Sequence, residues 1–551
     1  MQVSALECKE FTASEGQYTL KENIFIEARF PNLTSGTSVS IVSVKYKEYS
    51  NRQNSSNADG NLLAIDRGDE NISDIRPTSA TESTLVAELD EQAELDKLQQ
   101  QAEPLSPVIE GSNIGSPIQV AKSPTNNGSV PTAIEGKKDD DAFSVFNVMK
   151  RKKAKGNITK TTSSLVAKMT QNENLAKILA NRQSEDTYLF FNVGRTFCWI
   201  DLTYNPKDPL SKIEFTKHPI CHDVNLLTRS YDHLDVIIGF SSGDLVWIDP
   251  LCSKYYRLNK QGLINNTPVT MVKWVPGTDN LFMVSHQDGS MILYDKDRDD
   301  QNFTSTVGNE EEGFRVIRPA KNSKHNPVSY WQVSKKTVTA FSFSPDHQYV
   351  ATVSVDGYLR IIDFMKEALY DAYSSYFGGF SCVCWSPDGK YVLTGGQDDL
   401  VTIWAFREQR IVARCQGHQS WVTGVSFDSW NCDERNYRFG SVGEDTKLLL
   451  WDFSVNALHK PKSSGSHRRA SLASQSHTAT FALRRNLGER EHVKDPVHHC
   501  LPRLEVAILQ PITGRSIDGE PLCSITFRED SIITTCRKGH IKLWARPDFD
   551  K

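Results

Sequence analysis

The chain has 551 residues and a formal net charge of −5, with a pI near 6.3, which excludes the basic face a general nucleic-acid binder needs. Hydrophobic residues make up 38% of it, enough for a core, yet no apolar run approaches the ~18 residues of a membrane span. Eleven cysteines are scattered without a CxxC pair; they read as small buried hydrophobes of a reducing compartment, with no metal or cofactor expected.

Residues 1–49 hold β-type runs at Tyr18–Leu20, Ile24–Ile26 and Val39–Tyr46. The first eight residues, Met1 to Cys8, lack the basic-then-apolar layout of a signal peptide, so a soluble chain of cytoplasm and nucleus is expected. Then the aromatics stop: between Tyr49 and Phe143 there is no Phe, Trp or Tyr. Such a stretch cannot bury enough apolar surface to offset the entropy of ordering it, so 50–142 is expected to be disordered. Glu82 to Gln101 could form a helix with Leu85, Leu89 and Leu98 on one side, as a partner motif or a transient turn. Ser106, Ser116 and Ser123 each precede proline and fit a proline-directed kinase. Residues 143–187 read as a basic lead-in, its dense run Lys150 to Lys155 being either an import signal or a solvated edge.

From residue 188 to 546 one pattern repeats. Turn signals such as Asp356-Gly357, Asp398-Asp399 and Glu444-Asp445 are each followed by a short β run ending in an aromatic or aliphatic pair and Asp or Ala. Seven such endings line up: Trp199-Ile200-Asp201, Trp247-Ile248-Asp249, Leu293-Tyr294-Asp295, Ile361-Ile362-Asp363, Ile403-Trp404-Ala405, Leu450-Trp451-Asp452 and Leu543-Trp544-Ala545. Four of the six spacings are 42–48 residues; the other two, 68 and 93, locate polar insertions at 296–326 and 454–500. A period in the forties, with Gly417-His418 opening a unit and Trp451-Asp452 closing it, resembles the WD-repeat β-propeller. An all-β fold of seven blades is therefore expected. Because the last ending lies almost at the C-terminus, the β runs within 15–47 must supply the outer strand that closes the ring.

One unit carries His418, Ser441, Asp445 and Trp451. In WD repeats, residues at matching positions form a buried hydrogen-bond network, which stabilises only if every member is satisfied. Ser, His and Asp are also the parts of a hydrolase triad, but no nucleophile elbow accompanies them, and no enzyme activity is expected. The preceding unit keeps Thr394, Asp398 and Trp404 without the Gly-His pair. Loops that enter the innermost strands usually do a propeller's binding. Two neighbouring ones carry large aromatics, Tyr376 and Phe377 in one and Trp421 in the next, a natural pair of interface anchors unless they pack down on their own blades. Inside the second insertion, Arg468-Arg469-Ala470-Ser471 fits a basophilic kinase, whose phosphate would add negative charge to a basic loop.

Beyond generic WD repeats, Glu15 to Tyr18, Gly156 to Ser164, Glu173 to Lys177 and above all Ser375-Tyr376-Phe377-Gly378-Gly379 through Trp421 resemble the WD-repeat activators of ubiquitin-specific proteases. That family includes the fungal catabolite-repression protein CreC and animal counterparts; the likeness is greatest to fungal members, such as the fission-yeast partner of a Ubp9-type protease. The resemblance covers about two thirds of the chain. It implies a non-catalytic cofactor that binds a ubiquitin-specific protease and raises its activity or localises it, often beside a second WD-repeat protein, and it implies that Phe377 and Trp421 grip the protease. The alternative is a substrate receptor of a cullin-type ubiquitin ligase.

Overall fold

The structure, a computed structural model, describes residues 8–27, 36–45, 156–160, 163–180, 185–203, 208–304, 313–319, 324–454 and 497–547. Short runs rich in Val, Ile and aromatics, bounded by Gly and Asp turns, pair with their chain neighbours into seven mainly antiparallel sheets of four or five strands. The sheets are the seven blades of a propeller, with inner strands Val39–Lys45, Pro219–Val224, Val269–Trp274, Val338–Phe343, Phe380–Trp385, Val422–Phe427 and Leu522–Phe527. All seven endings read from the sequence fall on the third strand of a blade. Their large side chains face the gaps between blades: Trp451, fully buried, packs with Leu393, Val401 and Cys415 of blade 5. Truncating a buried tryptophan of this kind costs about 3–5 kcal/mol, so these residues hold the ring together.

The N-terminal segment closes the ring in two ways. Gly16–Phe25 pairs with His540–Ala545 as the fourth strand of blade 7, and Glu10–Ala13 adds a fifth. Val39–Lys45 was expected among the outer-strand material. Instead it pairs with Glu185–Val193 as the innermost strand of blade 1. Ile24 and Ile41 thus join one apolar cluster with Leu189, Ile533 and Leu543, across the seam between the two chain ends. The lead-in is also partly woven in: Val166–Gln171 is a fifth strand on blade 1 and Gly156–Asn157 one on blade 2. Of the insertions, Arg315–Ile317 lies along blade 3. After the second, the chain returns as a strap over three blades: Val497–His498 pairs parallel to the outer strand of blade 4, Ala507–Leu509 parallel to that of blade 5, and Thr513–Ser516 completes blade 6.

Consecutive blades are latched at one rim by a repeated device. Each inner strand of blades 3 to 7 carries a bulge at its second residue, namely Thr270, Thr339, Ser381, Thr423 and Cys523. The bulge turns that side chain towards the next blade. Thr270 Oγ1 donates to Val338 O at 2.6 Å, Thr339 Oγ1 to Phe380 O at 2.8 Å, Ser381 Oγ to Val422 O, and Thr423 Oγ1 to Leu522 O at 2.8 Å. Each acceptor is the first residue of the following inner strand. No helix among the described residues is long and apolar enough to cross a membrane.

Candidate functional site

In blade 6, four side chains from three elements meet in one directed chain. The Asp445 carboxylate, in the turn, can only accept, so His418 Nδ1 in the entering loop donates to it at 3.1 Å. His418 Nε2 then accepts from the Ser441 hydroxyl at 2.7 Å, and Ser441 Oγ accepts from Trp451 Nε1 at 2.9 Å. Backbone N–H groups of Gln419 and Lys447 also reach Asp445, at 3.0 and 3.2 Å. Burial acts to raise this carboxyl, but the bonds from His418 and the backbone outweigh it and hold it below the usual range. Ser441 is fully buried, which leaves a substrate no approach to its hydroxyl. The network fixes the loop that carries Trp421.

Blade 5 repeats this scaffold without the histidine. Trp404 Nε1 donates to Thr394 Oγ1 at 2.8 Å, and Asp398 occupies the turn. His418 stands four residues ahead of the inner strand at Val422; the same offset from Phe380 falls on Tyr376. Tyr376 does not turn inward. Half exposed, it lies over the Arg414 guanidinium, 4.4 Å from ring centre to Cζ. Asp398 Oδ1 accepts from the N–H of Leu400 at 3.2 Å, but its buried Oδ2 has no partner. Burial pushes the Asp398 carboxyl up to about 6.

The loop between blades 4 and 5 is wedged between two turns. Ser375 N–H donates to Gly357 O at 2.7 Å on the blade 4 side, and Gly379 N–H donates to Gln397 Oε1 at 2.8 Å on the blade 5 side. The close fit requires glycine: a Cβ at Gly379 would stand 2.8 Å from Val355 Cα. These bonds leave Phe377 at the apex with 71% of its surface exposed. In the next loop the Trp421 carbonyl accepts from Glu444 N–H at 2.9 Å, and its ring is 48% exposed. The Ser381–Val422 latch holds the starts of the two strands together, one and four residues from these aromatics. Phe377 is therefore not packed down on its own blade, and about half of Trp421 stays open.

Val355, exposed in the blade 4 turn beside Gly379, enlarges the apolar area. It escaped the sequence reading because a lone valine in a turn carries no signal. Two carboxylates, Asp399 and Glu444, lie beside the rim. Burial, with the Asp445 charge adding to it, raises the Asp399 carboxyl, and Glu444 pairs with Arg537. Ser106, Ser116, Ser123, Ser471, the Lys150–Lys155 run and the whole of 50–142 lie outside the described residues.

Comparison with known proteins agrees with the propeller fold. The profile of the WD domain, G-beta repeat, matches residues 372–405, from the Phe377 loop to the end of the third strand of blade 5. That of the nucleoporin Nup120/160 β-propeller domain matches residues 248–373, a stretch from blade 2 through blade 4. The UBP9-binding protein bun62 of Schizosaccharomyces pombe is 40% identical over 407 residues, covering 70% of this chain and 75% of its own. The chain belongs to this family of WD-repeat, UBP9-binding proteins. In this chain Phe377 and Trp421 stand exposed where blades 5 and 6 begin, beside the complete network of His418, Ser441, Asp445 and Trp451.

Proposed function

We propose that the chain is a non-catalytic scaffold that binds a ubiquitin-specific protease of the UBP9 kind through Tyr376, Phe377 and Trp421, and raises its activity or localises it. One observation carries the reading: Phe377 is 71% exposed at the tip of a loop whose backbone is held on both sides. A loop backbone that is held before binding loses little entropy on contact. Side chains of this size bury ~150–250 Å². The exposed fractions then leave roughly 140 Å² on Phe377 and roughly 120 Å² on Trp421, worth about 3 kcal/mol each at ~25 cal/mol/Å². That is the size of an interface anchor. The relative's name supplies the class of partner.

The proposal extends to a second WD-repeat protein in the same assembly, to work in both cytoplasm and nucleus, and to phosphorylation at Ser471, Ser106, Ser116 and Ser123. The test of activation is hydrolysis of a fluorogenic ubiquitin substrate by the purified protease, with and without this chain. A saturable rise in kcat/KM supports the cofactor role. Tight binding without a change in rate leaves localisation as the function. Recovery of cullin components from cell extract, with no protease, would replace both by the ligase-receptor reading.

A further inference from the structure

Where the strap crosses blades 4 and 5 it roofs a cavity of about 290 Å³. Tyr373, Tyr376 and Trp404 form its flat apolar walls, Arg410 and Arg414 its charged ones, and Val497 to Leu501 the roof. Among the residues that line it there are two arginines and two histidines but no carboxylate. Arg414 is the unusual member. It is 95% buried, since only 5% of its surface is exposed. Its Nη2 donates to Leu501 O at 2.7 Å and contacts Cys500 Sγ at 3.0 Å, and its Cζ lies under Tyr376. Its buried Nη1 has no partner, and among the described residues no carboxylate forms an ion pair with it. The nearby Asp371 is already engaged by His498 at 2.7 Å and by the Tyr373 hydroxyl.

A buried guanidinium with an idle N–H and no carboxylate in contact is costly to fold; the Asp398 charge attracts Arg414 only from beyond ion-pair distance, and a bound anion offsets the remaining cost. Guanidinium also binds carboxylate and phosphate through paired, charge-assisted bonds. We propose that this cavity is a binding site for an anionic group carried on a flat apolar stem, held by Arg410 and by the charge of the buried Arg414 guanidinium in the cavity wall, with the stem against Tyr376, Tyr373 and Trp404. The volume admits one group about the size of an aromatic side chain, at the low end for a small-molecule pocket. Because Tyr376 is at once a wall of this cavity and a shoulder of the rim, the two sites touch, yet the anion site does not depend on what the rim binds.

The test is a calorimetric titration of the full chain with phenyl phosphate, phenylacetate and, as a charge control, benzylamine. Saturable binding of one or both anions without binding of benzylamine is expected. The tighter of the two identifies phosphate or carboxylate as the natural head group. Arg414→Met should weaken the anion by about ten-fold or more, the loss of a buried positive charge in the cavity wall. Arg410 is exposed, so Arg410→Gln should leave folding intact and weaken binding about three-fold, as a rim charge does. No saturable binding of either anion, equal binding of benzylamine, or affinity unchanged in both variants would overturn the proposal.

Discussion

Removing the Ser441 hydroxyl should damage the ring more than removing its counterpart in blade 5, and the geometry gives the size of the difference. Ser441 Oγ serves two buried groups, accepting from Trp451 Nε1 and donating to His418 Nε2. Each group left unpaired in the interior costs ~1–3 kcal/mol, so Ser441→Ala should destabilise the protein by about 3 kcal/mol. Thr394 serves only Trp404, and Thr394→Val, nearly the same shape, should cost about half as much. With ~2.1 cal/mol/K of unfolding entropy per residue over roughly 360 residues, these losses become falls of about 4 °C and 2 °C in Tm. Thermal melts of the two variants beside wild type, followed by circular dichroism, measure them. A Ser441→Ala protein melting within about 1 °C of wild type, or no gentler effect at Thr394, would show that the directed chain is not what stabilises blade 6.

Asp398→Asn should stabilise the protein at neutral pH. The folded carboxyl is raised from its ordinary 3.8 to about 6 by burial, so wild-type stability is greatest while the group is protonated. It falls as pH rises from about 4 to about 6, with the full penalty above that. The asparagine variant should gain on the order of 1–2 kcal/mol at pH 8 and nothing near pH 4, as read from urea midpoints at the two pH values. Gly379→Ala forces a Cβ against the Val355 backbone; the Phe377 loop must shift, with a loss of ~1–3 kcal/mol in stability and weaker protease binding by interferometry. Deleting residues 1–27 removes both outer strands of blade 7, with Tyr18 fully buried and stacked on Phe11 at 4.7 Å. Such a chain should fail to give a monodisperse peak in size-exclusion chromatography, whereas a protein that elutes and melts as wild type would show that closure lies elsewhere.

Much of the ring is legible in the sequence because each blade encodes its own third strand. A tight turn, a β run and a large terminal side chain recur at nearly constant spacing, and local pairing needs no more. The blade 6 network was legible for the same reason, its four members lying within one unit. What the sequence hides is pairing between segments far apart. Val39–Lys45 alternates like any strand, and nothing within it says that its partner, Glu185–Val193, lies some 140 residues on and that it will be the innermost strand of blade 1. The strap is hidden for a second reason. Val497–His498 and Ala507–Leu509 are too short to show a period, and their parallel pairing depends on blades already formed. Arg414 and its cavity depend on that strap and were invisible with it. Tyr376 could be found as an aromatic, but its place at the histidine position emerges only once Phe380 is known to begin a strand.

The central proposal rests on the rim aromatics, and the most direct measurement is the equilibrium affinity of a purified UBP9-type protease for wild type and for the Phe377→Ala, Trp421→Ala double variant, each checked for folding by circular dichroism. Phe377 is mostly exposed and Trp421 about half exposed, so the variant should stay folded and melt close to wild type. Its affinity should fall by at least about 100-fold, the loss expected from two anchors. Equal affinity in a folded variant would contradict the assignment and move the protease to another face of the propeller.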